Sequence, residues 1–234
     1  MKNKLGVMQG RLLPKYKGRF QAHPVGYWEK EFELAKNYGL DNIEFILDYN
    51  NAKDNPLLNS NGISEILSLS VKTGVNINTI CADYFMESPF HSENEKIVKK
   101  SQKTLSTLIY NTKLLGLTDI IVPCVDQSAL KDQKAKDLFV KNITPLLETF
   151  ENHKVNLCLE TDLSPISFAA FLKMFNSKYV TVNYDIGNSA YFGYDPIDEL
   201  NAYGKKISDI HIKDRKLGGE SVVLGKGNAD FSKF

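Results

Sequence analysis

The chain has 234 residues, 42% of them hydrophobic, with only 8 prolines; that is enough to bury a large core and unlike a disordered segment. Its 29 Lys and Arg nearly cancel 28 Asp and Glu, which argues against a surface that tracks nucleic-acid phosphates. No apolar run approaches the ~20 residues of a membrane span. The opening MKNKLGVMQGR lacks the apolar stretch of a secretory signal, so a cytoplasmic protein without nucleic-acid or membrane partners is expected.

Seven short apolar runs follow one another along the chain: LGVMQ (5–9), DNIEFI (41–46), VNINTIC (75–81), TDIIVPCV (118–125), VNLCLE (155–160), YVTVNYD (179–185) and ISDIHIK (207–213). Each has strand length, and most are rich in Val and Ile. Between them lie helical patterns. Residues 93–115 set Ile97, Ser101, Leu105, Leu108, Thr112 and Leu115 along one stripe. Ser164-Pro165 and Asp195-Pro196 read as an N-cap followed by proline at the first helical position. Gly39, Gly74, Gly116 and Gly204 each close a helical pattern before a strand, where glycine supplies the left-handed conformation. Cys81, Cys124 and Cys158 lie in or beside apolar runs and are expected to be buried thiols in a reducing compartment.

The repeating unit is therefore strand, helix, glycine, strand, which makes an α/β fold with a parallel sheet. Six repeats between Val7 and Ile210 average roughly 34 residues, and eight need about 250 or more, the size of a (β/α)8 TIM barrel. The expectation is one incomplete barrel domain over residues 1–234, lacking the last helix and strand. Strands one and seven are then open edges, to be covered by further chain or by a second copy in a homo-oligomer. An open doubly wound sheet is disfavoured because no Gly-x-Gly-x-x-Gly follows the first strand.

In a parallel barrel the reactive groups sit at the C-terminal ends of the strands. Strand five ends in Glu160, strand six in Asp185, and strand seven carries His211. They are spaced by 25 and 26 residues, 160 to 185 to 211, about one unit each, so neighbouring strands are expected to bring them to one rim. Two carboxylates and an imidazole form an oxygen-rich divalent-cation site suited to Mn²⁺ first, then Mg²⁺ or Co²⁺, with Zn²⁺ as a further option. Read singly, a strand-end carboxylate is as well explained as a helix cap, and a lone His as a core residue; the joint pattern favours the site.

These residues resemble the xylose-isomerase-like sugar isomerase/epimerase superfamily, which also contains the endonuclease IV type. The resemblance rests on GVMQGRL (6–12), Glu160, DIGN (185–188), HIKDR (211–215) and LGKGNADF (224–231), and covers nearly the whole chain. The first and last of these motifs are similar to the sugar-phosphate isomerase/epimerase branch. The resemblance implies a TIM barrel and a metal held by Glu160, Asp185 and His211. It also implies a second glutamate on strand eight, expected beyond this sequence, and substrate contacts from Asn188 and Arg215. The implied reaction moves a proton next to a sugar carbonyl through an enediolate, with Glu160 as the base. The substrate is expected to be a small sugar or sugar phosphate.

Further candidates stand around this centre. Gln9 and Arg11 follow strand one and are candidate substrate contacts. Glu44 in strand two is an alternative base or a structural ion pair. Arg215 with the Gly225-Lys226-Gly227 turn is a candidate phosphate cradle, Lys226 included, since glycine amides and an Arg fork suit an anion. The segment DYFMESPFHSEN (83–94) is a candidate lid. A non-catalytic barrel is the alternative to an isomerase, and metal content separates the two. An endonuclease IV-like enzyme is more remote, because only one of the four histidines falls at a strand end.

Overall fold

The computed structural model describes residues 4–233. All seven apolar runs form strands: β1 (Gly6–Met8), β2 (Asn42–Ile46), β3 (Thr79–Cys81), β4 (Asp119–Cys124), β5 (Asn156–Thr161), β6 (Val180–Asp185) and β7 (Ile207–His211). They pair in chain order, each parallel to the next, into one sheet. The intervening helices are α1 (Lys30–Asn37), α2 (Ser60–Thr73), α3 (Tyr84–Glu87), α4 (Glu95–Thr112), α5 (Gln133–His153), α6 (Pro165–Leu172), α7 (Ile186–Phe192) and α8 (Pro196–Tyr203).

The sheet is curled. Five strand steps at about 4.8 Å separate β2 from β7, ~24 Å in a flat sheet, yet Glu44 of β2 and His211 of β7 are 2.9 Å apart. Inside the curl, Met8, Ile46, Cys81, Ile121 and Cys158 supply one side chain from each of β1 to β5, the stacked layer that fills a barrel interior. Outside it, Phe32, Phe45, Leu108, Phe139, Phe150 and Phe171 belong to the larger core between sheet and helices. β4 and β6 are buried along their whole length, as parallel strands covered on both faces must be. β7 alternates between half-buried and exposed residues, and no pairing joins it to β1 among the described residues. The segment Ser221–Val222 (β9) pairs antiparallel with Asp214–Arg215 (β8) as a separate ribbon rather than joining the main sheet.

The local signals act much as the sequence suggests. Pro165 and Pro196 open α6 and α8, and Asp195 accepts the Ile197 amide. Gly74 and Gly116 end their helical segments with φ of 79° and 68°, as a left-handed cap requires. Gly204 does not: its φ is −52°, and the chain leaves α8 through a 3₁₀ turn. The buried stripe of α4 runs through Val98, Ser101, Leu105, Leu108 and Thr112, so Val98 takes the place expected for Ile97. All three cysteines are free and buried.

Candidate active site

Period-two alternation along a strand sends every second side chain inward, and the C-terminal ends of β5, β6 and β7 use it in the same way. Glu160, Asp185 and His211 come together, each offering a ligand atom within 4.8 Å of the others. His211 Nδ1 lies 3.8 Å from Glu160 Oε2 and 3.9 Å from Asp185 Oδ2. Two ligands at about 2.1 Å from one cation lie roughly 3–4.2 Å apart, so two oxyanions and one ring nitrogen at these separations fit a divalent ion. Glu160 and Asp185 are buried.

Asn183 and Asn188 hold the base candidate from both sides. Asn183 Nδ2 donates to Glu160 Oε2 at 2.8 Å, and Asn188 Nδ2 donates to Glu160 Oε1 at 2.7 Å. Asp185 caps α7 by accepting the Asn188 amide at 2.8 Å. Asn188 Oδ1 in turn accepts from Arg215 at 3.0 Å and from Lys213 at 3.2 Å, which fixes which end of the amide faces Glu160. Lys213 also reaches Asp185 Oδ2 at 3.4 Å. The Arg215 guanidinium lies 4.0 Å over the Tyr191 ring and donates to the Gly219 carbonyl. Gly187 makes room for this arrangement, since a Cβ there would stand 2.7 Å from Lys213 Cγ.

The charges oppose one another. Burial, and then the neighbouring Asp185 charge, push the Glu160 carboxyl up to about 7. Burial works against ionised Asp185, but the His211 ring beside it and the Lys213 charge outweigh it and hold that carboxyl below its usual range. Burial also disfavours the charged form of His211, yet Glu44, Asp185 and Glu160 raise its proton affinity well above the ordinary value. That concentrated negative field is what a cation would neutralise.

Not every candidate joins the centre. Gln9 is buried, its Oε1 accepting the Ile46 amide at 3.0 Å and facing His23 Nδ1 at 3.3 Å; the side chain ties β1 to the end of β2. Arg11 is exposed and bonds Gln21. Lys226 is exposed in a turn closed by its own amide to Val223. The amides of the glycine turn are not free for an anion: Gly225, Gly227 and Ala229 donate to the Asp214 carboxylate at 2.8–3.0 Å. The candidate lid is tied down, with Tyr84, Phe85 and Phe90 in the main core.

Sequence reasoning left three groups unassigned that the fold brings in. Asn183 precedes Asp185 by two and Asp209 precedes His211 by two; Lys213 lies between the His and Arg of HIKDR. Strand parity was the available signal for the first two. On β7 it is altered by a bulge: Val182 pairs with Ile207, but Asn183 pairs with Asp209, so Ser208 is an extra residue that re-aims the strand end. Ser208 thereby bonds Thr181 at 2.8 Å, while Asp209 joins Glu44 and His211 in a second close acid–His group.

A family model described as "Xylose isomerase-like TIM barrel" matches residues 32–234. The chain belongs to this family. Within the xylose isomerase-like family it is similar to L-ribulose-5-phosphate 3-epimerase UlaE of Escherichia coli K12, 26% identical over 227 residues, covering 91% of this chain and 78% of that protein. Among solved structures it shares its fold with D-psicose 3-epimerase from Clostridium cellulolyticum, crystallised with D-tagatose. That structure has a TM-score of 0.75 at 15% identity, covering 99% of this chain and 78% of the other. A xylose isomerase-like TIM barrel protein from Mycobacterium smegmatis in complex with magnesium has a TM-score of 0.68 at 17% identity, covering 96% and 82% of the two chains. No described helix is long and apolar enough to cross a membrane.

Proposed function

We propose that this chain is a divalent-metal-dependent 3-epimerase acting on a ketose phosphate. The observation that carries the reading is the Glu160 carboxylate, gripped by Asn183 and Asn188 beside Asp185 and His211. Similarity to UlaE, named an L-ribulose-5-phosphate 3-epimerase, supports the substrate class.

Glu160 removes the proton from the carbon next to the carbonyl, leaving an enediolate, and inversion requires a second acid on the opposite face to return a proton to that carbon. Its carboxyl, raised to about 7 by burial and then by Asp185, suits a base working near neutral pH. Glu160, Asp185 and His211 would hold the cation, with Mn²⁺ the first choice and Mg²⁺, Co²⁺ and Zn²⁺ as alternatives. When bound it supplies Lewis-acid stabilisation of the enediolate oxygens. Lys213 and Arg215 place two positive groups on Asn188 at the edge of the centre, a setting for an anionic or hydroxyl-rich substrate. Arg215, braced on Tyr191, is the group assigned to the substrate oxyanion.

The test follows loss of the C3 proton signal in D₂O by NMR. L-ribulose 5-phosphate and the unphosphorylated ketohexose D-allulose are each supplied with Mn²⁺, Mg²⁺, Co²⁺ or Zn²⁺. Faster exchange with the phosphorylated ketose is expected. Exchange confined to D-allulose overturns the phosphate assignment, and no exchange with either sugar under any cation overturns the epimerase reading.

A further inference from the structure

Glu44 is buried and faces the other nitrogen of the His211 ring from Glu160, and nothing in the reaction above uses it. Its Oε1 faces His211 Nε2 at 2.9 Å, and its Oε2 accepts the Thr79 hydroxyl at 2.7 Å. A chain of contacts thus runs from Thr79 on β3 through Glu44 on β2 to His211 on β7. The other ring nitrogen, Nδ1, faces Glu160 and Asp185. Asn183 Nδ2, which donates to Glu160, lies 3.0 Å from Nδ1 and 3.4 Å from Nε2. A carboxylate oxygen only accepts, so the ring nitrogen 2.9 Å from Glu44 carries a hydrogen. Nε2–H thus points at Glu44, and in the neutral ring that a cation would take, Nδ1 is left with the lone pair.

Taking Glu160, Asp185 and His211 as the cation site, we propose that Glu44 is a positioning residue. By accepting Nε2–H it holds the His211 tautomer and ring plane so that Nδ1 is the ligating nitrogen. A ring held by one hydrogen bond cannot rotate its lone pair away from the cation, and a carboxylate partner makes the free nitrogen a better donor; loss of such a partner weakens metal binding roughly 10–100-fold. Thr79 does for Glu44 what Glu44 does for His211, fixing one oxygen so that the other points at the ring. Asp209 also lies against Glu44 and His211, so the competing arrangement is one in which Glu44 and Asp209 bind the cation themselves.

Calorimetry with Mn²⁺ on the full chain compares wild type with Glu44→Ala, Glu44→Gln and Asp209→Asn, with folding checked by circular dichroism. We expect Glu44→Ala to bind 10–100-fold more weakly. Glu44→Gln, which keeps an acceptor oxygen, should recover part of the loss, and Asp209→Asn should bind as wild type does. In Zn²⁺-loaded wild type, ¹⁵N NMR of the His211 ring should show Nε2 protonated and Nδ1 shifted by the metal; this spectrum decides the matter even if Glu44→Ala does not fold. Wild type that binds no cation overturns the metal site and this inference with it. Wild type that binds, alongside a folded Glu44→Ala of equal affinity, overturns the role of Glu44 alone. So does a metal-bound Nε2, or an Asp209→Asn variant as weak as Glu44→Ala.

Discussion

Glu160 sits where two amides donate to it, which sets what a substitution there must do. Glu160→Gln removes the base and should lower C3 proton exchange by several orders of magnitude in the NMR assay. It also presents an NH₂ group to one of the two asparagines, leaving two donors facing each other. That cost opposes the relief of removing a buried charge beside Asp185, so the loss of exchange should far exceed any change in urea-unfolding stability. His23 makes a second residue-scale prediction. It is buried against Trp28 and Phe45, its Nε2 has no hydrogen-bond partner among the described residues, and burial lowers its pKa to about 4 despite the charge of Asp48. Above pH 6.5 the ring is neutral folded and unfolded, so it contributes no pH dependence. As pH falls from about 6.5 toward 4, the unfolded chain takes up a proton that the folded chain refuses, and stability drops. Between pH 7.5 and 4.5 wild type should lose about 2–3 kcal/mol more than His23→Phe. Asp83 runs the other way: burial raises its carboxyl to about 6, so the difference between the two proteins is the quantity to read. Equal losses in both would show that His23 takes up its proton in the folded state.

The ribbon of β8 and β9 shows how an element gets its shape from one buried carboxylate. Asp214 accepts three backbone amides from residues 225–229 and so folds LGKGNA back over HIKDR. Gly227 permits it, because a Cβ there would stand 2.2 Å from Asp214 Oδ1 and 2.6 Å from the Arg215 carbonyl. Gly227→Ala should cost about 1–3 kcal/mol, seen as a lower melting temperature and faster proteolysis within residues 216–229. It should also weaken substrate binding through Arg215, raising KM in the epimerase assay; an unchanged melting temperature would show that the turn yields freely. The bulge at Ser208 is the other decisive element feature. It brings Asp209 and His211 into register with Asn183 and Asp185, and an unbroken ladder through Ser208 would turn His211 to the opposite face.

Across the whole molecule, protection should follow the sheet. β4, β5 and β6 have neighbours on both sides and little exposure, whereas β1 and β7 each pair on one side among the described residues. Amide hydrogen exchange should therefore be slowest in β4 to β6 and markedly faster in β7 and β1. Protection of β7 equal to that of β5 would instead show its edge covered, with a second copy in a homo-oligomer as one of the two coverings expected from the sequence. The exposed Ile210 and Ile212 on and beside β7 are the side chains such a partner would cover.

The seven strands, the Asp195 cap, the glycine ends at Gly39, Gly74 and Gly116 and the set Glu160, Asp185 and His211 were legible in the residues alone. Apolar period, proline and glycine placement and repeat spacing are local signals, and a βα repeat converts sequence spacing into strand-end position. What pairs across the interior was not legible. Glu44 and His211 are 167 positions apart, and no local pattern links them; only the curl of the sheet brings β2 against β7. The same holds for Gln9, which follows the first strand and whose side chain satisfies the Ile46 amide. The Gly-Lys-Gly turn looked like an anion cradle because glycine amides are open by nature. Its anion proved to be Asp214 of the same chain. Short-range geometry thus settled which residues stand at the strand ends, while the curl of the sheet settled which of them meet, because contact across a curled interior depends on strand tilt, register and one bulge rather than on neighbours in sequence.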